Sequence, residues 1–265
     1  MISLKEPSNE TSPTPKKHLD DSTTYATSLP TVPITLKRPP YIPTPHSSAL
    51  TNAGVARANI AASAESPNGT TTNNWAGRHA HQTVLQQHCA FFDRDGDGVI
   101  WPRDTWHSFR ELGFSWPIAL FGAYIIHAAL SYPTQSSLLP DPCFRIWVDG
   151  VHRDKHGSGS MSYDAEGRFR PQQFEDFFAK YDKEGKGGLT KGDVATALRG
   201  QALAFDVFGG TAAALEWTAT YLLLWPDDGV MKKDDVRRIF DGSIFYQKAE
   251  EYRGKKLKGG SKVAA

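Results

Sequence analysis

The sequence predicts a mainly α-helical fold built from helix–loop–helix units with short β-pairs. Three observations carry that prediction. Apolar residues recur at spacings of three and four around a loop-like acidic segment at 93–104. A second glycine-turned acidic segment, 182–193, echoes the first. Residues 1–78 stand apart from both. They are rich in Pro, Ser, Thr, Asn and Ala and poor in large apolar side chains, so they bury too little surface to offset the entropy of ordering.

Residues 1–78 are therefore expected to be mostly disordered, with part of the region docked on the rest. The run from Pro39 to Pro45 favours extended polyproline II. No apolar run follows a basic region near Met1, so no secretory signal is expected. The formal net charge of the 265 residues is +1, which argues against a dedicated nucleic-acid binder. Cys89 and Cys143 are too few for a disulfide framework.

Residues 79–115 form the first unit. Asp93, Asp95 and Asp97 stand at positions 1, 3 and 5 of a twelve-residue loop, with Gly98 at position 6 and Asp104 at position 12. An EF-hand loop needs oxygen ligands at this spacing, a glycine at the sharp turn and a backbone carbonyl at position 7, here Val99. Asp93, Asp95, Asp97, Val99 and Asp104 are thus the candidate Ca2+ ligands. Asp104 replaces the usual Glu and is one methylene shorter, which predicts weaker calcium binding or more tolerance of magnesium. Trp101 at position 9 offers only a backbone or water-mediated contact. Val84, Leu85, His88, Phe91 and Phe92 make one apolar stripe before the loop, and Trp106 and Phe109 continue it afterwards.

EF-hand units usually pack in pairs, and degenerate partners follow. The loop from Asp182 has Gly187 at position 6 and Asp193 at position 12, but Lys186 at position 5, where an oxygen is required. It is expected to pair structurally and to bind no calcium. A third echo, Asp228 to Met231 with Asp235, has lost the first half of its loop. Helices are expected over about 80–92, 103–113, 117–131, 171–180, 191–199, 203–224 and 233–240.

Residues 116–142 are an apolar segment without a charge between Leu112 and Pro140. As a helix, Trp116 to Tyr132 would be about 25 Å long. The hydrocarbon core of a bilayer is about 30 Å thick. The segment therefore reads as a proline-turned helical hairpin dipping into one lipid leaflet, with a buried core helix and a true span as the alternatives. Pro133, Pro140 and Pro142 supply the turn, and Trp116, Tyr124 and Tyr132 suit a membrane interface. His127 inside it reads as a satisfied polar group. Residues 143–250 form a C-terminal helical region, and 251–265 a basic tail, either solvated or drawn to an anionic lipid surface.

The histidines alone specify no chemistry. His88 lies on the apolar stripe entering the calcium loop, where a satisfied core histidine is the usual reading. His152 and His156 form a His-x3-His pair, but the Gly and Ser after them argue for a loop. Several motifs together do more. The string from Val84 to Asp93 resembles the caleosins, as do His152 to Ser160, Tyr163 to Phe169 and Arg237 to Phe245. The resemblance covers residues 80–250 in the family's order of EF-hand, apolar segment and mixed C-terminal region, although the proline knot is diluted and Gly159 stands where an Asp is common.

The resemblance implies one Ca2+, a haem b group, and peroxygenase activity that passes one oxygen from a fatty-acid hydroperoxide to an unsaturated fatty acid or other acceptor. It also implies a place on the lipid-droplet or endoplasmic-reticulum membrane, at its cytoplasmic face; the single intact EF-hand, for its part, leaves room for homo-oligomers. The family's two haem-linked histidines fall on His88 and His156, with His152 third. Two firm axial ligands would leave no place for a peroxide. His88, on a helix, therefore suits the firm ligand, and His156, on a loop, a displaceable or distal acid–base group. Cys89 is a rival thiolate ligand, about 100° further round the helix. His88 precedes Asp93 by five residues, so calcium is expected to order the helix that carries it. The same features also fit a non-enzymatic, calcium-binding protein that coats or tethers lipid droplets.

Overall fold

The computed structural model describes residues 50–260 together with two short strands before them. Residues 1–40 form one unit, in which β1 (Thr24–Tyr25) and β2 (Ile34–Thr35) pair antiparallel. The rest of the stretch up to residue 49 lies outside the described residues. All elements below belong to the second unit, residues 41–265.

The described part of the low-hydrophobicity region, residues 50–78, is packed. Ala61, Ala62 and Trp75 are buried, the last in α1 (Trp75–Arg78). Its backbone is tied rather than greased into place. Arg57 and Phe169 exchange both backbone hydrogen bonds, at 2.7 and 2.8 Å. The buried Arg237 guanidinium donates to Ala61 O at 3.1 Å and to Thr70 Oγ1 at 3.2 Å. Thr70 in turn donates to Asp241 at 2.6 Å. Polar groups satisfied in this way can be buried without the desolvation penalty of orphaned ones.

Four helix–loop–helix units follow, arranged as two pairs. In the first pair, α2 (Val84–Ala90) leads through the 93–104 loop and β3 (Val99–Ile100) to α3 (Pro102–Glu111). Its partner is α4 (Trp116–Thr134), an irregular loop, β4 (Ile146–Trp147) and a 3-10 helix over Val148–Asp154. In the second pair, α5 (Pro171–Tyr181), β5 (Gly188–Leu189) and α6 (Lys191–Gln201) face α7 (Val207–Leu224), β6 (Met231–Lys232) and α8 (Lys233–Phe240). β3 pairs with β4 and β5 with β6, both antiparallel. The 182–193 loop is therefore not the strand partner of the first loop; residues 146–147 are. The fourth unit is the echo at Asp228.

Local sequence explains the boundaries. α2 begins at Val84 rather than near residue 80 because Thr83 and Gln86 form a reciprocal cap: Gln86 N donates to Thr83 Oγ1 at 3.3 Å and Thr83 N to Gln86 Oε1 at 2.9 Å. α6 starts at the equivalent Thr190–Asp193 cap. α7 begins at Val207, not 203, because the Asp206 side chain accepts from Gly209 N at 2.8 Å and sets the helix start there.

The expected hairpin is corrected. The apolar segment is a single helix continuing through Pro133, not a proline-turned hairpin. Pro133 sits in the last turn of α4, where a helix is already ending. The helix is inverted: Ala119, Ala123, His127, Ser131 and Thr134 face inward, while Trp116, Phe121 and Tyr124 are 56, 59 and 69 % exposed. Small inward residues let α4 lie close to α3 and to the 3-10 helix, leaving the large apolar side chains outside. Among the described residues, no helix is long and apolar enough to cross a membrane. The basic tail begins inside a helix. Positions from 251 continue α9 (Ser243–Gly260), which is anchored by buried Ile244, Phe245 and Ala249. On its surface Lys248 pairs with Glu251 at 3.1 Å.

The main core is aromatic, gathering Phe169, Phe174, Phe177, Phe178 and Tyr181 with Val84, Phe91 and Phe245. A second cluster of Ile100, Ile146, Val148 and Val151 lies under the β3–β4 pair. α2 separates the two, since Val84 and Phe91 enter the first and Leu85 and Cys89 the second.

Candidate functional site

α2 carries His88 and delivers the chain into the acidic loop. The two are mechanically continuous: Phe92 N and Asp93 N donate to Cys89 O at 2.9 and 3.2 Å, so helical hydrogen bonding runs into the first loop residue. Asp93, Asp95 and Asp97 come together, with one oxygen of each within 4.8 Å of the others. Asp93 accepts from Gly96 N at 3.1 Å and Gly98 N at 2.9 Å, and Asp97 accepts from Val99 N at 2.8 Å. Gly98 turns the chain at φ +83°, a conformation costly for any residue with a Cβ. Asp104 lies outside this cluster. Its carboxylate accepts from Trp101 N at 3.1 Å and caps α3. Val99 is in β3, opposite Trp147.

The other three loops differ from this one in charge. Lys186 extends its ammonium among Asp182, Glu184 and Asp193, at 3.6, 3.3 and 3.3 Å. Arg145 clasps Asp141 through two nitrogens, at 3.0 and 3.1 Å. Lys232 meets Asp228 at 2.6 Å. Each of these loops thus carries its own cation. The pKa directions follow. The Arg145 guanidinium holds Asp141 down at about 2, and Lys232 lowers Asp228. Against the upward push of burial, Thr190 and Lys186 lower Asp193. In the first loop burial raises Asp93, and the charges of Asp97 and Asp95 raise it further. Only there do carboxylates meet without an internal counter-ion, which is the electrostatic state that favours an external cation.

His88 is half-buried on α2. Its Nδ1 lies 2.7 Å from Ile239 O, and its ring meets Phe245 edge-on at 5.1 Å. A carbonyl can only accept, so Nδ1 carries the proton. Nε2 keeps its lone pair and has no hydrogen-bond partner among the described residues. Burial lowers the His88 pKa and holds the ring neutral. A neutral imidazole with one nitrogen fixed by a carbonyl and the other free is the arrangement of a metal-ligating histidine. Gly242, at φ +73° between α8 and α9, keeps this geometry tight, since a Cβ there would lie 2.9 Å from His88 Cα.

His156 lies in the segment after the 3-10 helix. Its Nε2 is 3.4 Å from Glu216 Oε1 on α7, and its Nδ1 is buried without a partner among the described residues. The hydrogen bond to Glu216 raises its pKa despite burial. The segment is pinned by Asp206, which accepts from Ser158 N at 3.0 Å and Ser158 Oγ at 2.7 Å. Glu216 also raises the pKa of His88, after burial and the Ile239 bond have had their larger effects. It acts on the buried Tyr163 hydroxyl and on Asp154 as well, the latter pushed by burial up to about 7. His88, His156, Tyr163 and Asp154 thus lie within the field of one carboxylate. Sequence reading missed Glu216, because no local pattern links α7 to the His156 segment, and gave Asp154 and Tyr163 no role although both lie in its family-like motifs. His152 is half-buried in the 3-10 helix. The His-x3-His motif and the caleosin-like string were the signals for it.

The remaining sequence candidates resolve clearly. Burial pushes the Cys89 thiol up to about 12, and its side chain packs in the second cluster beside Leu85. That disfavours a thiolate ligand. His127 is satisfied, with Thr105 Oγ1 at 2.8 Å from Nε2 and Phe144 O at 2.6 Å from Nδ1.

The donor set fits the haem that the family resemblance implies. His88 Nε2 is free and neutral, and the unpartnered Nδ1 of His156 is a buried polar atom awaiting a partner. The family model described as caleosin related protein matches residues 80–249. The chain is similar to a peroxygenase of Lilium longiflorum, 38 % identical over 204 residues, covering 77 % of this chain and 83 % of the relative. It is also similar to a probable peroxygenase 4 of Arabidopsis thaliana, 35 % identical over 176 residues, covering 65 % of this chain and 88 % of that protein. A probable inactive peroxygenase-like protein of Arabidopsis thaliana is 33 % identical over 101 residues, 36 % of this chain and 49 % of the relative. No solved structure matches. The chain belongs to the caleosin-related family.

Proposed function

We propose that this protein is a calcium-dependent haem peroxygenase. It transfers one oxygen from a fatty-acid hydroperoxide to an unsaturated fatty acid or similar acceptor at a lipid-droplet or endoplasmic-reticulum surface. The observation that carries this reading is His88, whose Nδ1 is committed to Ile239 O while Nε2 is left free, one loop away from the uncompensated Asp93–Asp95–Asp97 cluster. Similarity to proteins named peroxygenase supports it.

In this reading His88 Nε2 holds the haem. Bound haem supplies cleavage of the hydroperoxide O–O bond and oxygen transfer. The chain's own residues do the rest. Ile239 O fixes the His88 tautomer and orients its ring. His156, whose pKa the Glu216 hydrogen bond raises, would give its Nδ1 proton to the departing alkoxide oxygen and recover the proton shed by the hydroperoxide hydroxyl. The net reaction consumes no proton, so His156 ends as it began. Asp93, Asp95 and Asp97 would hold the calcium, which would offset two of their three negative charges and stiffen the continuous α2-to-loop backbone that positions His88. The outward Trp116, Phe121 and Tyr124 of α4 give the molecule an apolar face suited to lipid.

The test is an absorption spectrum of the calcium-loaded protein after haem addition, beside that of His88→Ala. A Soret band that the variant loses supports the assignment. Loss of hydroperoxide-dependent oxygen transfer to oleate should accompany it. An unchanged band in His88→Ala removes His88 as the ligand. No band in either protein leaves the second reading, a calcium-binding lipid-surface protein without catalysis, which the exposed apolar faces of α4 and α7 favour.

A further inference from the structure

His88 is the first ring of an aromatic chain that reaches the surface. Its imidazole meets Phe245 edge-on at 5.1 Å, Phe245 lies 5.6 Å from Phe91, and Phe91 meets Tyr246 edge-on at 5.0 Å. Phe91 and Phe245 are buried, whereas Tyr246, on α9, is 40 % exposed. The Tyr246 hydroxyl has no hydrogen-bond partner among the described residues, so water is its partner. Aromatic contacts of this kind are ordinary core packing. What sets this chain apart is its two ends, a candidate haem ligand and an exposed phenol.

Two other oxidisable rings lie close and are poor end points. Trp75 is 5.5 Å beyond Tyr246, but its N–H is committed to Gln87 Oε1 at 2.9 Å. The Arg78 guanidinium also sits 5.6 Å over the Trp75 ring, where a positive charge opposes loss of an electron. Tyr163 donates its hydroxyl to Phe240 O at 2.6 Å, the carbonyl next to the one that holds His88. A carbonyl cannot take the proton that an oxidised tyrosine sheds. Of the three, Tyr246 can release both an electron inward and a proton to water. Phenylalanine is too hard to oxidise to hold the charge, so Phe245 and Phe91 serve as a packed bridge that the electron crosses.

We propose that Tyr246 is a surface site of one-electron oxidation, joined to His88 through Phe91 and Phe245, which gives the protein a peroxidase activity toward electron-rich phenols beside oxygen transfer. The inference rests on the reading of His88 as the haem ligand, since haem supports one-electron as well as oxygen chemistry. With no oxygen acceptor bound, Tyr246 loses one electron to the hydroperoxide-oxidised haem and its hydroxyl proton to water. A phenol in solution then gives its O–H hydrogen atom to the tyrosyl oxygen, which restores Tyr246 and leaves a phenoxyl radical. Two such rounds deliver two electrons, and the two released protons are matched by two taken up at the hydroperoxide oxygens. One hydroperoxide and two phenols thus become one alcohol, one water and two phenoxyl radicals. Phenols that hold their hydrogen less tightly than tyrosine react downhill, which selects methoxylated rings.

The experiment uses the calcium-loaded, haem-reconstituted full chain with cumene hydroperoxide and a nitroso spin trap, without fatty acid. Electron paramagnetic resonance detects the trapped radical, and peptide mass spectrometry locates it. An adduct on Tyr246 is expected. Tyr246→Phe, which keeps the ring and loses only the hydroxyl, should lose that adduct and most of the oxidation of guaiacol. Tyr124 and Tyr132 are 69 and 54 % exposed, more than Tyr246, so radicals loose in solution would label them first. Adducts on those two or on Tyr163 in place of Tyr246, or unchanged guaiacol oxidation in Tyr246→Phe, would overturn the proposal. So would a parent protein that shows a Soret band and transfers oxygen to oleate yet carries no adduct at Tyr246, an outcome that leaves the peroxygenase reading standing. A parent that takes up no haem removes both.

Discussion

Gly242→Ala tests how His88 is held. Gly242 has φ +73°, and an added Cβ would lie 2.6 Å from Gln87 O and 2.9 Å from His88 Cα, both backbone atoms of α2. Ordinary van der Waals contact begins at 3.4 Å, so α2 or the α8–α9 turn must move by up to 3.4 − 2.6 = 0.8 Å. The left-handed backbone costs about 1 kcal/mol for alanine. Overpacking a close backbone contact adds about 2 kcal/mol. The sum, about 3 kcal/mol, corresponds to a fall of about 6–12 °C in Tm for an ordered region of this size. The same shift displaces Nδ1 from Ile239 O, whose hydrogen bond is now 2.7 Å. Haem affinity should therefore fall as well. Differential scanning calorimetry and a haem titration measure both. Gly254→Ala is the control. Nothing lies within 4 Å of its Cβ inside α9, and alanine should stabilise that helix by about 1 kcal/mol. A Tm for Gly242→Ala within about 1 °C of the parent, with unaltered haem binding, would refute the reasoning that this turn clamps α2.

Three further outcomes follow from the loops and from His127. Asp93→Ala removes the residue that links α2 to the acidic cluster, so calorimetric calcium binding should be lost and haem retention should weaken with it; full haem occupancy with normal activity would break the proposed coupling. Lys186→Asp replaces an internal ammonium with an oxygen ligand at position 5, between Asp182, Glu184 and Asp193, so calcium stoichiometry should rise by one, and an unchanged stoichiometry would show that the ammonium is not what fills that loop. Burial lowers the His127 pKa below 6.5, so as pH falls the unfolded chain takes up this proton first. Stability should drop from pH 6.5 down to the lowered folded value and level off beneath it. His127→Gln, measured by urea unfolding across that window, should flatten this part of the profile; an identical slope would move the effect to another group.

What was legible in the sequence was local. Asp93, Asp95, Asp97 and Gly98 could be read because calcium-loop geometry is written within twelve consecutive positions. The seven expected helices exist because their apolar periodicity is a property of each segment, and the ends moved by a few residues where Thr83 and Asp206 set caps. Lys186 was legible as an intruder, but not as the ammonium that gathers three carboxylates. Pairing was not legible. β4 lies in a loop that has lost its acidic spacing, and only the ladder opposite Val99 and Ile100 reveals it. The fate of α4 depended on tertiary contacts as well. A run that is apolar on every side gives no direction, and the inward face was decided by which residues are small enough to lie against α3 and which, like His127, find Thr105 and Phe144 O. Glu216 is the sharpest case. It is sixty residues from His156 and on a different helix from His88, yet its carboxylate acts on both histidines. The residues of the acidic loop and the candidacy of His88 were legible in sequence alone. The state of each group was decided by folding, because burial and hydrogen bonds to distant elements choose which nitrogen is free, which thiol stays neutral and which face of a helix meets the surroundings.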